Sequence, residues 1–277
     1  MYAVKPEDIR PAAVADAFYP GDASALNLLL DDLFATAKTP NINAEIKGLV
    51  APHAGYRYSG KVAAAGYRQV RLASKAVVAI IAPSHYDRFH GVSVFNGKGY
   101  ETPLGFVPVA SEQANALIEE NEAIMSSWLG HRNEHALEVQ LPFLQKRFTD
   151  FSILPIVMGE QSVDICKMLA DAVVDVLKEC SSLIIASSDL SHFHEDKIAR
   201  QIDTATIRLV ESFDEDRFTG SLEEFTGQFC GGGPIFTAML ASKQFGAHNA
   251  KSVLYRNSGD ETGDLSSVVG YLSAVFY

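Results

Sequence analysis

Apolar residues along this chain fall into two kinds of run. Six are short and apolar nearly throughout: Lys47–Ala51, Ala76–Ala82, Ser152–Val157, Leu183–Ser187, Ser252–Tyr255 and Val268–Phe276. Within them AVVAIIA and LIIAS show no alternation, which predicts strands covered on both faces, as in a parallel sheet under helices. Other segments carry helical spacing. From Ser162 to Lys178, Ile165, Met168, Leu169, Ala172, Val173, Val176 and Leu177 recur at intervals of three and four and share one face. Ser111 to Glu120 repeats the pattern with Ala114, Leu117 and Ile118. Ser221-Leu-Glu-Glu224 has the spacing of a capping box and predicts a short helix opening there. Pro234 suits a first helical turn, with Gly246 as the stop. Strands alternating with helices predict the α/β class: one three-layer α/β/α domain over residues 1–277 with a mostly parallel central sheet.

Composition narrows the function classes. The chain is 47% hydrophobic and 21% charged, ordinary for a protein with a real core, and its formal net charge is −11. Diffuse acidity argues against nucleic acid and anionic membrane surfaces as partners. The N-terminal segment lacks a basic start and an apolar core, so no secretion signal is read. Its three cysteines, with no C-x-x-C spacing, do not form a disulfide framework and point to a reducing, cytoplasmic location.

The chemistry concentrates where strands end. His53 follows KGLVA, His85 follows AVVAIIA, and Asp189 and His192 follow LIIAS. Loops past the C-terminal ends of parallel strands converge on a crevice, so these residues point to one shared site. Cys230 precedes three glycines and the helix of Pro234. The N-terminus of that helix would favour the reactive thiolate; the competing reading is a small buried cysteine at a tight turn. Glu134 and His135 open a helical segment, placed either to orient a ligand and move protons or simply to cap the helix. Cys166 and Cys180 read as structural, and His90, His131, His194 and His248 as surface residues. A phosphate loop and a hydrolase elbow are both absent, since neither G-x-x-x-x-G-K-[ST] nor G-x-S-x-G occurs.

In order along the chain stand Arg10-Pro11, Phe18-Tyr19-Pro20, APHAGYRYSG, APSHYDRF, EHALEVQLPFL, SSDLSH and CGGGPI. Together these segments resemble the Memo family, whose bacterial and archaeal members are called protein B of the AmmeMemoRadiSam system. The resemblance implies a fold similar to class III extradiol dioxygenases, which hold iron with two histidines and a glutamate and use a further histidine as acid/base. By position it implies metal ligands at His53, His85 and Cys230 and an acid/base at His192. A cysteine stands where the dioxygenases have glutamate. That change argues against ring cleavage and softens the site towards iron, copper or zinc. The family name further implies association with a radical-SAM protein and an AMMECR-type protein.

The reading that follows is a metal-dependent oxidoreductase with iron or copper at His53, His85 and Cys230. His192 moves protons, assisted by Asp189, Glu134 and His135, and Tyr56, Arg57, Tyr58 and Tyr86 line a pocket for a small-molecule substrate. Two alternatives use the same cleft: a non-catalytic protein that binds metal or a peptide, and a zinc-dependent hydrolase.

Overall fold

The computed structural model describes residues 3–224 and 229–277. The strands are β1 (Ile9–Arg10), β2 (Gly48–Ala51), β3 (Ala76–Pro83), β4 (Val92–Val94), β5 (Gly99–Thr102), β6 (Gly105–Pro108), β7 (Ile124–Ser126), β8 (Phe151–Met158), β9 (Ser182–Ser187), β10 (His192–His194), β11 (Ala250–Asn257) and β12 (Val268–Phe276). The helices are α1 (Ala23–Thr36), α2 (Tyr56–Tyr67), α3 (Ser111–Glu120), α4 (His135–Glu138), α5 (Leu141–Arg147), α6 (Val163–Leu177), α7 (Asp196–Ser212), α8 (Glu215–Glu224), α9 (Gly232–Gln244) and α10 (Gly259–Thr262).

Among the described residues nine strands form the main sheet in the order β10-β12-β2-β9-β3-β8-β4-β7, with β11 also on β12. The central four, β2, β9, β3 and β8, are parallel. On either side of them the direction reverses: β12 runs antiparallel to β2, and β4 antiparallel to β8, although β4 and β7 again pair parallel. The unalternating runs AVVAIIA and LIIAS are indeed central strands, and their side chains are buried on both faces.

Helices cover both faces, as neighbouring residues of β2 show. A Cβ at Gly48 would meet Ser242 of α9, whereas Leu49 reaches back to Gly66 of α2. Adjacent residues of a strand point to opposite faces, so α2 and α9 lie on opposite sides. Further packing follows this division, with α1 and α5 against α2, and α6 and α8 against α9. Among the described residues no helix is long and apolar enough to cross a membrane.

Two sequence expectations are corrected here. Ser221 to Glu224 form the last turn of α8 instead of opening a helix; the helix expected beyond them would fall on residues 225–228, outside the described residues. His131 is not on the surface but 1% exposed. Its ring is used at both nitrogens: the Tyr100 hydroxyl lies 2.8 Å from Nδ1 and Ser93 O lies 3.2 Å from Nε2. A carbonyl can only accept, so Nε2 carries the proton and Nδ1 accepts from Tyr100. Surface placement does hold for His90 and His248, and His194 is half-buried.

Beside His131 a buried ion pair ties the N-terminal segment to α4. Arg10 and Glu138 are both fully buried and paired through Nη1 and Oε2. Arg10 also donates to His131 O (2.9 Å), Pro11 O (3.0 Å) and Glu134 O (2.7 Å). Glu138 accepts from the Tyr19 hydroxyl and from the main-chain N–H groups of Ala13 and Val14.

Each of these buried groups generates a prediction. Removing one partner of a buried pair strands the other charge, so Glu138→Gln is expected to cost about 3–5 kcal/mol in a urea titration. His131 has its pKa lowered from 6.5 to about 3, because burial disfavours the charged ring. The unfolded chain therefore takes up this proton first. The neutral ring's contribution is complete above pH 6.5 and is lost as the pH falls towards 3. At pH 4 the wild type should have lost about 3 kcal/mol through this group. His131→Gln should lack that component, giving a shallower fall in urea midpoint between pH 7 and pH 4.

Candidate metal centre

Because β2, β3 and β9 are parallel, the segments leaving their C-terminal ends emerge at one sheet edge. Pro52-His53 leaves β2, Ser84-His85 leaves β3, and Ser188-Asp189 leaves β9. The loop before α9 brings Cys230 to the same edge. This approach depends on Gly231, where a Cβ would collide with Ser187 O and crowd the Ser188 side chain (2.6 Å). Gln161 clips the loop in place: its Nε2 donates to Cys230 O (2.9 Å) and its Oε1 accepts from Gly233 N (2.8 Å). As a result, ligand atoms of His53, His85 and Cys230 all lie within 4.8 Å of one another.

Hydrogen-bond accounting fixes the histidine tautomers. The Ser187 hydroxyl donates to Ala136 O (2.6 Å) and accepts from Gln140 Nε2 (3.0 Å), which leaves one lone pair for His53 Nδ1 at 2.9 Å. With its only proton committed, Ser187 can only accept from His53. Nδ1 is therefore protonated, and Nε2 keeps a free lone pair. At His85, Nδ1 lies 2.9 Å from Glu134 Oε1, and the main-chain N–H donates to Oε2 (2.6 Å). A carboxylate accepts, so His85 also carries its proton on Nδ1. Burial would raise the Glu134 carboxyl, but the bonds from His85 and from Ala136 N–H outweigh it and hold the pKa below its ordinary value.

Burial, reinforced by the charges of His85, His135 and His192, keeps His53 far below its usual pKa and so neutral. Its Nε2 lies 3.1 Å from Cys230 Sγ. The expected thiolate is not favoured by the protein alone. Burial first, and then the nearby Asp189 charge, raise the Cys230 pKa, so the thiol donates to His53 Nε2. The helix end cannot offset this desolvation. Asp189 has a different role from orienting an imidazole, since its Oδ1 accepts from the His53 main-chain N–H (2.8 Å). Burial lifts its pKa to about 7 against the bonds it accepts from His53 and Ala54.

His192 is half-buried; burial first, and then the charge of His85, lower its pKa, and its own charge helps lower that of His53. His135 packs its ring 4.7 Å from that of His85 and 5.4 Å from that of His53, with Phe18 behind it at 4.6 Å. Burial lowers its pKa to about 4. Glu134 serves both roles considered for it, orienting His85 and capping α4 by accepting from Ala136 N (3.0 Å). Of the expected pocket residues, Tyr86 is exposed, with its ring 5.8 Å from His135. Tyr56 is corrected: it is 2% exposed, packs on Phe143 and Tyr19, and donates to Val139 O (2.6 Å), because the first turn of α2 turns it into the core. Arg57 and Tyr58 are exposed neighbours on α2. Among the described residues neither is hydrogen-bonded to His53, His85 or Cys230.

Sequence reasoning missed Ser187 and Gln140. Gln140 had a readable signal, a lone amide in the apolar stretch Val139–Leu144, since a polar group buried there needs partners.

The donor set fits a metal ion. One ligand atom from each of His53, His85 and Cys230 lies within 4.8 Å of the others, so bonds of about 2.0–2.3 Å to a shared ion need only a small inward movement. Fold and site together define an α/β/α protein with a histidine–histidine–cysteine cluster at the C-terminal edge of its parallel strands. The chain belongs to the Memo family: residues 10–275 match the model described as Memo-like protein. A MEMO1 family protein of Methanobrevibacter smithii is 37% identical over 280 residues, covering 97% of this chain and 99% of its own. Another, from Methanosarcina mazei, is 38% identical over 273 residues with the same shares. Among solved structures, the uncharacterized protein JW3007 of Escherichia coli K12 matches with a TM-score of 0.56 at 12% identity, covering 84% of this chain and 100% of its own. At that identity the likeness concerns the fold alone.

The tautomer locks generate a further prediction. Ser187→Ala and Glu134→Gln should each weaken metal binding about 10–100-fold, because partners of this kind orient ligating histidines. Competition against a chromogenic chelator measures this, with His53→Ala as the reference for loss of a ligand.

Proposed function

We propose that this chain is a metal-dependent oxidoreductase that holds iron or copper through His53 Nε2, His85 Nε2 and Cys230 Sγ. The observation supporting it is the pair of imidazoles whose Nδ1 protons are tied to Ser187 and Glu134, which leaves both Nε2 atoms free, in a cluster where ligand atoms of His53, His85 and Cys230 lie within 4.8 Å of one another. A bound redox metal would supply the electron-transfer step and polarise the substrate. The protein's own groups do the rest. Ser187 and Glu134 keep the ligands oriented, the His53 main chain is held on Asp189, and His192 moves a proton at the open side of the cluster. Tyr86 and His135 border the space beside His85, where a small substrate would lie.

The test is elemental analysis of anaerobically purified protein, followed by reconstitution with ferrous iron, cuprous copper or zinc and an oxygen-uptake screen. The expected outcome is about one iron or copper per chain, lost in His53→Ala and Cys230→Ser, with oxygen consumption that His192→Ala reduces at least 10-fold while sparing metal content. Redox metal without turnover on any substrate would make the chain a metal-binding protein. Tight zinc with hydrolytic turnover would make it a hydrolase.

A further inference from the structure

The segment that carries His192 hangs from one buried carboxylate. Asp203, on α7, is fully buried and sits outside the metal cluster. Its Oδ1 accepts from Ser191 N (3.0 Å) and its Oδ2 from the Tyr255 hydroxyl of β11 (2.7 Å). The same segment is stitched to β12 from both sides of Gly270: Leu190 N donates to Gly270 O (2.8 Å), and Gly270 N donates to Ser191 O (2.9 Å). Gly270 has to be glycine for this, because a Cβ there would collide with the Asp203 carboxylate. Directly beyond these bonds lies His192, paired with Val269. The strand is irregular at that point: His194 pairs with Val268, and Phe193 adopts the left-handed region at φ 62°.

A buried carboxylate carries a desolvation cost that apolar packing of the same space would avoid, and the hydrogen bonds it accepts offset that cost. Here the two donors and the absent Cβ are all arranged around it. We propose that Asp203 is the positioning residue of His192: it fixes the Leu190–His192 segment against β12 and places a negative charge behind the imidazole. This rests on His192 being the proton carrier of the site. Burial, then the charges of His85 on its strand-end loop and His194 on its own strand, disfavour the protonated form of His192; the Leu190 main chain and, after it, the Asp203 carboxylate on α7 favour it, and Asp203 is the charged group among these two. Tyr255 and His192 in turn face Asp203.

The test is a titration of His192 by NMR in protein labelled at its histidine ring nitrogens and loaded with zinc, which is diamagnetic and removes the ligand histidines from the titration. His192→Ala assigns the resonance. Asp203→Asn keeps an acceptor for Ser191 N–H and removes the charge. It should lower the His192 midpoint by about 0.5–1 unit, as expected for a charge acting through the protein medium, and leave His248 unchanged. Overlapping His192 curves in wild type and Asp203→Asn would overturn the proposal, even if the variant were less stable. Tyr255→Phe guards against an Asp203→Asn variant that does not fold. In the wild type the Ser191 amide and the His192 ring should share one acid-side inflection, and loss of the tyrosine donor should move that inflection to higher pH. Separate inflections, or one unmoved in Tyr255→Phe, would equally overturn it. A His192→Ala protein that still turns over would remove the proton-transfer role but not the coupling, because the resonances report without turnover.

Discussion

The buried pair of Arg10 and Glu138 is the constraint from which the candidate metal centre is built. Neither charge reaches water, so each must be satisfied by the protein, and the partners recruited are the site's scaffold. Arg10 spends its remaining donors on the carbonyls of His131 and Glu134, and Glu138 takes the N–H groups of Ala13 and Val14 and the Tyr19 hydroxyl. The guanidinium thus grips both ends of the segment 131–134, and the carboxylate grips the first turn of chain after β1. Glu134 is held by its own carbonyl on one side while its carboxylate orients His85 on the other. A pair of this kind adds little net stability over apolar packing, so its value lies in the single geometry it permits.

From that anchor the two candidate ligand histidines are fixed by different chemistry. His85 donates to a carboxylate, and His53 to a hydroxyl. A charged acceptor draws the Nδ1 proton more strongly, which makes the opposite nitrogen of His85 the better electron donor. The Ser187 hydroxyl gives His53 orientation without adding charge to a site that already holds Asp189 and Cys230. The two imidazoles are therefore similar in position and unequal in the acceptor that orients them.

The sequence revealed the central strands and the two candidate ligand histidines for the same physical reason, whereas Cys230 was marked by the glycines and helix start that follow it. Strands buried on both faces must be apolar without interruption, so a histidine just after such a run stands out. What it did not reveal depended on contacts between distant segments. Helix α2 was hidden by its own burial: from Val62 to Tyr67 it is buried all round, so no polar stripe continues beyond Arg57 and Lys61. The short strands β4 to β7 and β10 are two to four residues of pairing with no periodicity to read. Tyr56 followed the conspicuous His53 segment, but the turn into α2 points it inward. Ser187 ended a strand correctly placed, yet its role emerges only once Gln140, Ala136 and His53 meet around it.

Cys230 shows why residue type and local context were not enough to assign protonation. A helix N-terminus lowers a thiol's pKa by presenting unpaired N–H groups, an effect of about 1 kcal/mol at an exposed end. Burying an anion costs several times more, and the Asp189 carboxyl adds repulsion, so the thiol holds its proton and passes it towards His53 Nε2. In this arrangement the S–H···N bond occupies the same two donor atoms that a metal needs. Metal binding must therefore displace that proton, and affinity at this site is tied to pH through Cys230 more than through the histidine. His53 is already neutral, its ring proton is on the nitrogen that faces Ser187, and its free lone pair needs no deprotonation. The proton that must leave is the one on sulfur.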